Sequence, residues 1–356
     1  MPSDSPSGSP GGFADLNQVD HVLRTRGVQH ELDAFVVGVR FARNGRTAAY
    51  ALGDGTLRLA PLAGDWTSVE AHDGAILGLS EAGDGWVTGG DDGLFRRIAA
   101  DGTVTTLEKF GSKWVEHVAA WGDGKAGLLA CGVGKAAYVF KADGTRLKQL
   151  DHPSTVSGIV FDGKGKRVAA SHYNGATLWF VGAKVDSPRT LEWKGSHTGI
   201  AIHPAAEAVV TSMQETALHG WRLADGQHMR MSGYPSKTES LSFSRTGKWL
   251  ATSGAESIVL WPFFGGGPMG KAPTELAGGD GPLCTRVCFH PQQDMVAAGF
   301  ADGLVVVADV ATERVLPMAA PGHGPVSALA WSPDGTRLAF GTETGFAALI
   351  DLSKKD

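Results

Sequence analysis

The sequence predicts an all-β fold made of repeated units of short antiparallel strands. Fifty glycines and seventeen prolines in 356 residues are typical of a chain with many turns. The segment 321–352 shows the pattern most clearly, since three short apolar runs at strand spacing are separated by Ser-Pro-Asp-Gly and Thr-Glu-Thr-Gly turns. Three strands alone cannot bury both faces of a sheet, so such a segment requires copies of itself as neighbours.

The copies are present upstream. Trp331 closes the first strand of this segment, and an apolar residue followed by a turn recurs at intervals of 38 to 46 residues. The matching positions are Phe41, Leu79, Trp121, Phe161, Ile202, Phe243 and Phe289. A second, glycine-containing turn follows the second strand, as in Gly89–Gly93, Gly299–Gly303 and Gly341–Gly345. The sequence therefore predicts eight units of about 40 residues, each with strand, turn, strand, turn and strand.

These units resemble the WD40 repeat family from about residue 20 onwards. The best-matching pieces are Gly322-His323, Trp331-Ser-Pro-Asp-Gly335 and Ala298-Gly-Phe-Ala-Asp-Gly303, although the sequence contains no Trp-Asp dipeptide. The resemblance implies a β-propeller, for which we predict eight four-stranded blades, with seven as the alternative. The last unit lacks an outer strand, and the resemblance implies that an N-terminal strand, predicted at Val19–Val28, supplies it and closes the ring.

The units can be delimited from the turns. They are unit one Phe35–Leu59, unit two Ala75–Ile98, unit three Val115–Phe140, unit four Val156–Phe180, unit five His197–Leu223, unit six Thr238–Phe263, unit seven Cys284–Asp309, and unit eight from about residue 321. Outer strands are predicted in the connections, at Thr103–Glu108, Arg146–Leu150 and Pro188–Trp193.

Composition limits the class of protein. Residues 1–14 are predicted to be a disordered tail and residues 15–356 a single propeller. No apolar run is long enough to span a membrane, and a net charge of −5 gives no general attraction to nucleic acid or anionic lipid. The three cysteines lie in apolar strands and favour reduced thiols. We therefore expect a cytoplasmic monomer without nucleic-acid or membrane partners.

Histidines and acids recur at two positions that the repeat places on one face. We call this the loop face; it carries the connections into each first strand and the turns between second and third strands. His30 with Asp54, His72 with Asp92, and His152 with Asn174 are predicted to share a blade, and His323 holds the histidine position of unit eight. The WD40 resemblance implies that such pairs tie two loops together, which we favour over a catalytic dyad.

Other chemistry is less well supported by the residue spacing. A metal site could be built from His172 and His197 with Tyr173 and Gln214, but neither histidine has a second ligand close in sequence. Few ionisable residues lie on the inner strands, and Glu239 with Arg286 is interpreted as an ion pair at the channel mouth. We expect no enzymatic activity and no cofactor, with a ligand-binding, metal-binding or hydrolytic propeller as the alternative.

The loop face of units three to five is the predicted binding site for a protein partner. Aromatic, methionine and basic residues on turns are typical of interface centres. The predicted partner-binding residues are Trp114, His172, Tyr173, His197, Met213, Gln214 and Phe300. The sequence thus predicts a non-enzymatic scaffold for protein–protein interaction.

Overall fold

Short apolar runs separated by turn residues fold into thirty β-strands and one short helix in the computed structural model, which describes residues 20–279 and 281–353. The prediction of an all-β propeller is confirmed. The predicted tail, residues 1–14, lies outside the described residues.

Units one to three each form a separate four-stranded antiparallel sheet in chain order. Each ends in an outer strand, and the outer strands β9 and β13 lie where the sequence predicts them. Their strands are β2 (Val36–Phe41), β3 (Thr47–Leu52), β4 (Thr56–Pro61), β5 (Thr67–Glu70), β6 (Ile76–Ala82), β7 (Gly85–Gly90), β8 (Leu94–Ile98), β9 (Val104–Lys109), β10 (His117–Trp121), β11 (Leu128–Val133), β12 (Ala136–Lys141) and β13 (Arg146–Asp151). A 3-10 turn at Gly124–Ala126 separates β10 from β11.

Units four and five share one six-stranded sheet. Its strands are β14 (Gly158–Phe161), β15 (Arg167–Phe180), β16 (Arg189–Ile202), β17 (Ala208–Met213), β18 (Leu218–Arg222) and β19 (His228–Met231). The two 14-residue strands each contain a turn, at Asn174 (φ 69°) and Gly195 (φ 135°). Tyr173 pairs with Ser196 across the junction, so backbone hydrogen bonds run on from one unit into the next.

Units six to eight again form separate four-stranded sheets. Their strands are β20 (Leu241–Phe243), β21 (Trp249–Thr252), β22 (Ile258–Pro262), β23 (Thr274–Leu276), β24 (Cys284–Phe289), β25 (Met295–Phe300), β26 (Val305–Asp309), β27 (Val315–Ala319), β28 (Val326–Trp331), β29 (Arg337–Thr342) and β30 (Phe346–Asp351).

The described residues form seven hydrogen-bonded sheets, so the propeller has seven blades. This is the number that the sequence analysis gave as the alternative to eight. The prediction of eight separate four-stranded blades is wrong because units four and five are joined. Eight inner strands nevertheless face the central channel, one from each sequence unit.

The N-terminal segment differs from its prediction. Helix α1 (His21–Arg26) occupies most of the predicted strand Val19–Val28, and strand β1 (Gly27–Glu31) follows it. β1 pairs antiparallel with β30, from Gly27 opposite Ile350 to Glu31 opposite Phe346, and is the fourth strand of the last sheet. In α1, Leu23 is buried in the cluster that includes Met318 of β27, so the helix covers units seven and eight.

The core lies between neighbouring sheets. Val36 and Tyr50 of unit one pack in one cluster with Ala339 and Leu349 of unit eight. Tyr50 is fully buried, and its hydroxyl donates to the carbonyl of Ala348 at 2.7 Å. Burial of this phenol raises its pKa well above its ordinary value. The closed propeller is thus stabilised by side chains that reach from one unit into the next.

Turns between first and second strands lie together on one face of the propeller, opposite the loop face. We call it the turn face. Ring nitrogens link neighbouring units here: His203 Nε2–H donates to the carbonyl of Gly247, and His290 Nε2–H donates to that of Gly335, both at 3.0 Å. Trp121 Nε1–H likewise donates to the carbonyl of Gly163 in the next unit, at 3.1 Å. These contacts connect units that the backbone ladders leave separate.

Candidate interaction face

His72 and Asp92 of unit two form the predicted contact on the loop face. The His72 side chain is fully buried, with Nδ1 2.9 Å from Asp92 Oδ1 and Nε2 2.9 Å from Thr88 Oγ1. Since a carboxylate only accepts, Nδ1 carries the proton and the Thr88 hydroxyl donates to Nε2. Asp92 also accepts from the backbone N–H groups of Asp73 and Leu94. The pair therefore ties three chain segments together and has no exposed imidazole to offer a substrate.

The pKa values of this pair agree with a neutral histidine beside a charged carboxylate. Burial lowers the pKa of His72, and the hydrogen bond that His72 donates to Asp92 opposes this only in part. Burial alone would raise the pKa of Asp92, but the hydrogen bond from His72 and those from backbone N–H groups outweigh it and lower the pKa. Because both pKa values are lower in the folded state, the stability present at neutral pH decreases as the pH falls into the acidic range.

The predicted pair of His30 and Asp54 does not form. His30 lies on β1, where its ring packs against Trp66 with centroids 4.4 Å apart. Asp54 instead accepts from the backbone N–H (2.9 Å) and hydroxyl (2.7 Å) of Thr56 within its own turn. The reason is that β1 belongs to the sheet of unit eight, so its histidine is not on the connection into β2.

His152 and Asn174 do not pair either. His152 Nε2 accepts from Trp179 Nε1–H at 3.2 Å, whereas the Asn174 side-chain oxygen accepts from the N–H of Gly195. Burial and the nearby His172 imidazole lower the pKa of His152 to about 4, so this ring stays neutral. In unit eight, His323 stacks on the ring of Phe346, the first residue of β30, with centroids 3.8 Å apart.

The predicted partner-binding residues separate into exposed and buried groups. Trp114 and Tyr173 are 57% and 55% exposed, and Gln214 is also exposed. The other four are buried and offer no exposed side chain to a partner in this structure: His172, His197, Met213 and Phe300. All four lie within strands, namely β15, β16, β17 and β25, and not on exposed turns.

The two buried histidines use both ring nitrogens within the fold. His172 has Nδ1 2.9 Å from the carbonyl of Tyr173 and Nε2 2.8 Å from Thr177 Oγ1. His197 has Nδ1 2.7 Å from Thr211 Oγ1 and Nε2 2.8 Å from the carbonyl of Trp193. Neither has a nitrogen left for a metal, and the described residues include no group of three or more metal-ligating side chains. Both rings are therefore held by hydrogen bonds within the fold.

A cavity of about 720 Å³ lies between the second turn of unit four and the connection that leads into unit five. Tyr173 and Trp193 supply its aromatic walls, and Glu192 and Lys194 its charged edge. Trp193 is partly exposed and stacks on the buried ring of His219, with centroids 3.9 Å apart and planes 12° apart. The stacking holds the indole in place while leaving one face open.

His219 is a buried group that sequence analysis did not single out. Its Nε2 lies 2.9 Å from Nδ1 of the exposed His228. Burial and the charges of His228 and His197 lower the pKa of His219 to about 3. A neutral His219 therefore supports Trp193 at ordinary pH, although nothing in the local sequence pattern marks this contact.

The central channel has a volume of about 930 Å³ and is lined by all eight inner strands. The predicted ion pair is present, since Arg286 Nη1 lies 2.9 Å from Glu239 Oε2, and Lys237 Nζ lies 3.3 Å from the other carboxylate oxygen. Arg286 also donates through Nε to the carbonyl of Ser327 at 2.7 Å. Arg286 is thus bonded within the fold through both Nε and Nη1.

Comparisons with known proteins agree with the propeller fold. The family model described as the anaphase-promoting complex subunit 4 WD40 domain matches residues 287–356. WD repeat-containing protein slp1 of Schizosaccharomyces pombe is 22% identical over 189 residues, covering 50% of this chain and 38% of that protein. Autophagy-related protein 16 of Arabidopsis thaliana is 28% identical over 182 residues, covering 50% and 35%. The LST8 homolog of Drosophila melanogaster is 26% identical over 139 residues, covering 36% and 40%. The matches therefore span less than half of each relative's length.

Among solved structures, the computationally designed Ika8 protein superposes with a TM-score of 0.73 and 18% identity. The superposition covers 90% of this chain and 98% of that chain. At this identity the likeness establishes the architecture alone. Among the described residues, no helix has the length and apolar character needed to cross a membrane.

Proposed function

Because this chain is a β-propeller built from WD40-type repeats, we propose that it is a non-enzymatic scaffold that holds a protein partner on the loop face of units four and five. The observation that carries the proposal is the cavity between Tyr173 and Trp193. Large aromatic side chains that stay exposed on a rigid backbone lose little conformational entropy on binding. Such residues commonly contribute most of the energy of an interface.

Trp114 extends this surface towards unit three. It occupies the connection into the first strand of unit three, directly before the buried Val115. Lys113 beside it and Lys194 at the cavity are exposed, so the surface combines aromatic rings with positive charge. This combination suits a protein surface that offers apolar residues flanked by acids.

The groups that could support catalysis are better explained as structural. His72 is buried in a neutral, fully bonded pair, and Arg286 and Glu239 neutralise one another at the channel mouth. A general base needs a ring nitrogen within reach of its substrate, which the bonded His172 and His197 do not provide. These observations support a binding role rather than an enzyme.

The remaining properties are proposed from composition and burial. Cys131 and Cys284 are buried free thiols in the apolar core, which supports a reducing, cytoplasmic location. The net charge of −5 supports a protein partner over nucleic acid. We propose a monomer, since ring architectures of this kind bury their apolar surface between their own sheets.

The proposal is tested by affinity purification from the native cell with mass spectrometry. Wild-type protein should recover a partner that the double variant Trp114→Ala/Tyr173→Ala does not, with unchanged circular dichroism and melting. Truncation of two exposed anchors should weaken binding by about 2 kcal/mol or more. Phe35→Ala is the matched control, because Phe35 is exposed directly before the buried Val36 of unit one, as Trp114 is in unit three. Equal recovery by the double variant, or equal loss by the control, would contradict the proposed site.

A further inference from the structure

A second concave surface lies on the turn face, between units three and four. It is an apolar cavity of about 590 Å³. Its walls include Trp121, Leu128, Phe180 and Val181. The phenyl ring of Phe180 is 56% exposed, and the guanidinium of Arg167 lies 5.9 Å from its centroid. The ring is thus held from one side while its other face remains accessible.

Four lysines surround this cavity. Lys166 lines it, and the other three directly adjoin lining residues in sequence: Lys125, Lys164 and Lys184. All four are exposed, and within residues 20–279 and 281–353 none of them has a carboxylate at ion-pair distance. Four uncompensated positive charges therefore border one apolar depression in a chain of net charge −5.

Three acids of the same region are each engaged by a cation other than these lysines. The pairs are Asp162 with Arg167 Nε at 2.9 Å, Asp123 with Arg43 Nε at 3.3 Å, and Asp186 with Lys148. The positive charge of the four lysines is therefore not cancelled by these three acids.

We propose that this cavity and its four lysines form a second docking surface, which binds an acidic segment of a partner protein. One large apolar side chain of the segment packs against Phe180, and its carboxylates face the lysines. A concave apolar site takes an inserted side chain, whereas a lipid surface requires apolar groups that protrude. The inference goes beyond the proposed function, because it concerns the turn face and not the loop face.

The probe is a fluorescently labelled ten-residue peptide of aspartate and glutamate with one central phenylalanine, measured by fluorescence polarisation. It should bind the wild-type protein, and added salt should weaken binding. Phe180→Ser should weaken binding at least about tenfold, as loss of an apolar anchor does. Lys164→Glu/Lys166→Glu should weaken peptide binding to a similar extent. A peptide with alanine in place of phenylalanine should bind the wild-type protein as weakly as the original peptide binds the Phe180→Ser variant.

The matched control is Arg245→Glu/Lys248→Glu, which reverses two charges in the corresponding turn of unit six. This variant should bind the peptide like wild type, and so should Trp114→Ala/Tyr173→Ala, which separates this test from that of the loop face. Absence of peptide binding, equal loss in the unit-six control, or tighter binding of phosphatidylserine vesicles or an RNA oligonucleotide would overturn the proposal. Melting curves of both cavity variants establish that they are folded.

Discussion

Individual polar side chains on the loop face are selected for what they bond to inside the blade. In unit two His72 reaches the hydroxyl of Thr88, whereas in unit six Tyr234 takes this place, with its hydroxyl 2.6 Å from Thr252 Oγ1. Trp261 Nε1–H then donates to the Tyr234 hydroxyl, also at 2.6 Å. Different residue types satisfy the same need, since a buried hydroxyl without a partner is costly.

The contact between His72 and Asp92 should be measurable as a coupling energy. His72→Ala should lower the free energy of unfolding by about 1–3 kcal/mol, because a buried partner is left unpaired. Asp92→Ala should cost about the same, and the double variant less than the sum, because both remove one shared interaction. Urea denaturation of the four proteins checks this. Strictly additive losses would mean that the hydrogen bond does not contribute to stability.

At the scale of elements, the packing of the turn face requires glycines, because their lack of a side chain leaves room for an aromatic ring of the neighbouring unit. Gly335 has φ +72°, and a Cβ there would overlap the imidazole of His290. Gly45 has nearly the same conformation, φ +70°, but a Cβ there would meet only Pro333 Cδ, at 3.5 Å. The two turns therefore share a left-handed backbone conformation at glycine but differ in how closely a side chain packs against it.

This difference makes Gly45→Ala a control for Gly335→Ala. Gly45→Ala should cost about 1–2 kcal/mol, the usual penalty for left-handed backbone with a Cβ. Gly335→Ala should cost about 1–3 kcal/mol more, because the ring of His290 must also move. Denaturant unfolding measures both, and in a His290→Ala background the extra cost should disappear. Equal costs in the two turns would show that the histidine contact does not constrain the turn.

For the whole molecule, the first and the last described strands meet in one sheet. Strand β1 covers the edge of β30, and α1 buries Leu23 beside units seven and eight. The carboxylate of Asp20 also accepts from the backbone N–H of Ala320 at 3.1 Å. An uncovered edge of this length would offer free N–H and C=O groups to other chains.

Deletion of residues 1–31 should therefore lower the melting temperature and cause aggregation, observed by size-exclusion chromatography. Deletion of residues 1–12, which leaves α1 and β1 intact, should leave melting unchanged. A soluble 32–356 protein with wild-type stability would show that the N-terminal strand is not needed to keep the ring closed.

Much of the candidate site could not be predicted from residue type. Tyr173 and His172 are neighbours in one turn, yet one is exposed and the other buried. Met213 and Gln214 repeat this contrast in the next unit. Sequence identifies such residues as suited to an interface, but exposure depends on which side of the strand each one occupies.

The strands, the turns between them and the spacing of the units could be predicted from the sequence, because these follow from local apolar periodicity and from glycine and proline. The joining of units four and five in one sheet, the helix before β1 and the burial of particular histidines became clear from the folded structure. Each of these depends on pairing and packing between residues far apart in the chain. Such contacts leave no periodic signal in the segments that make them.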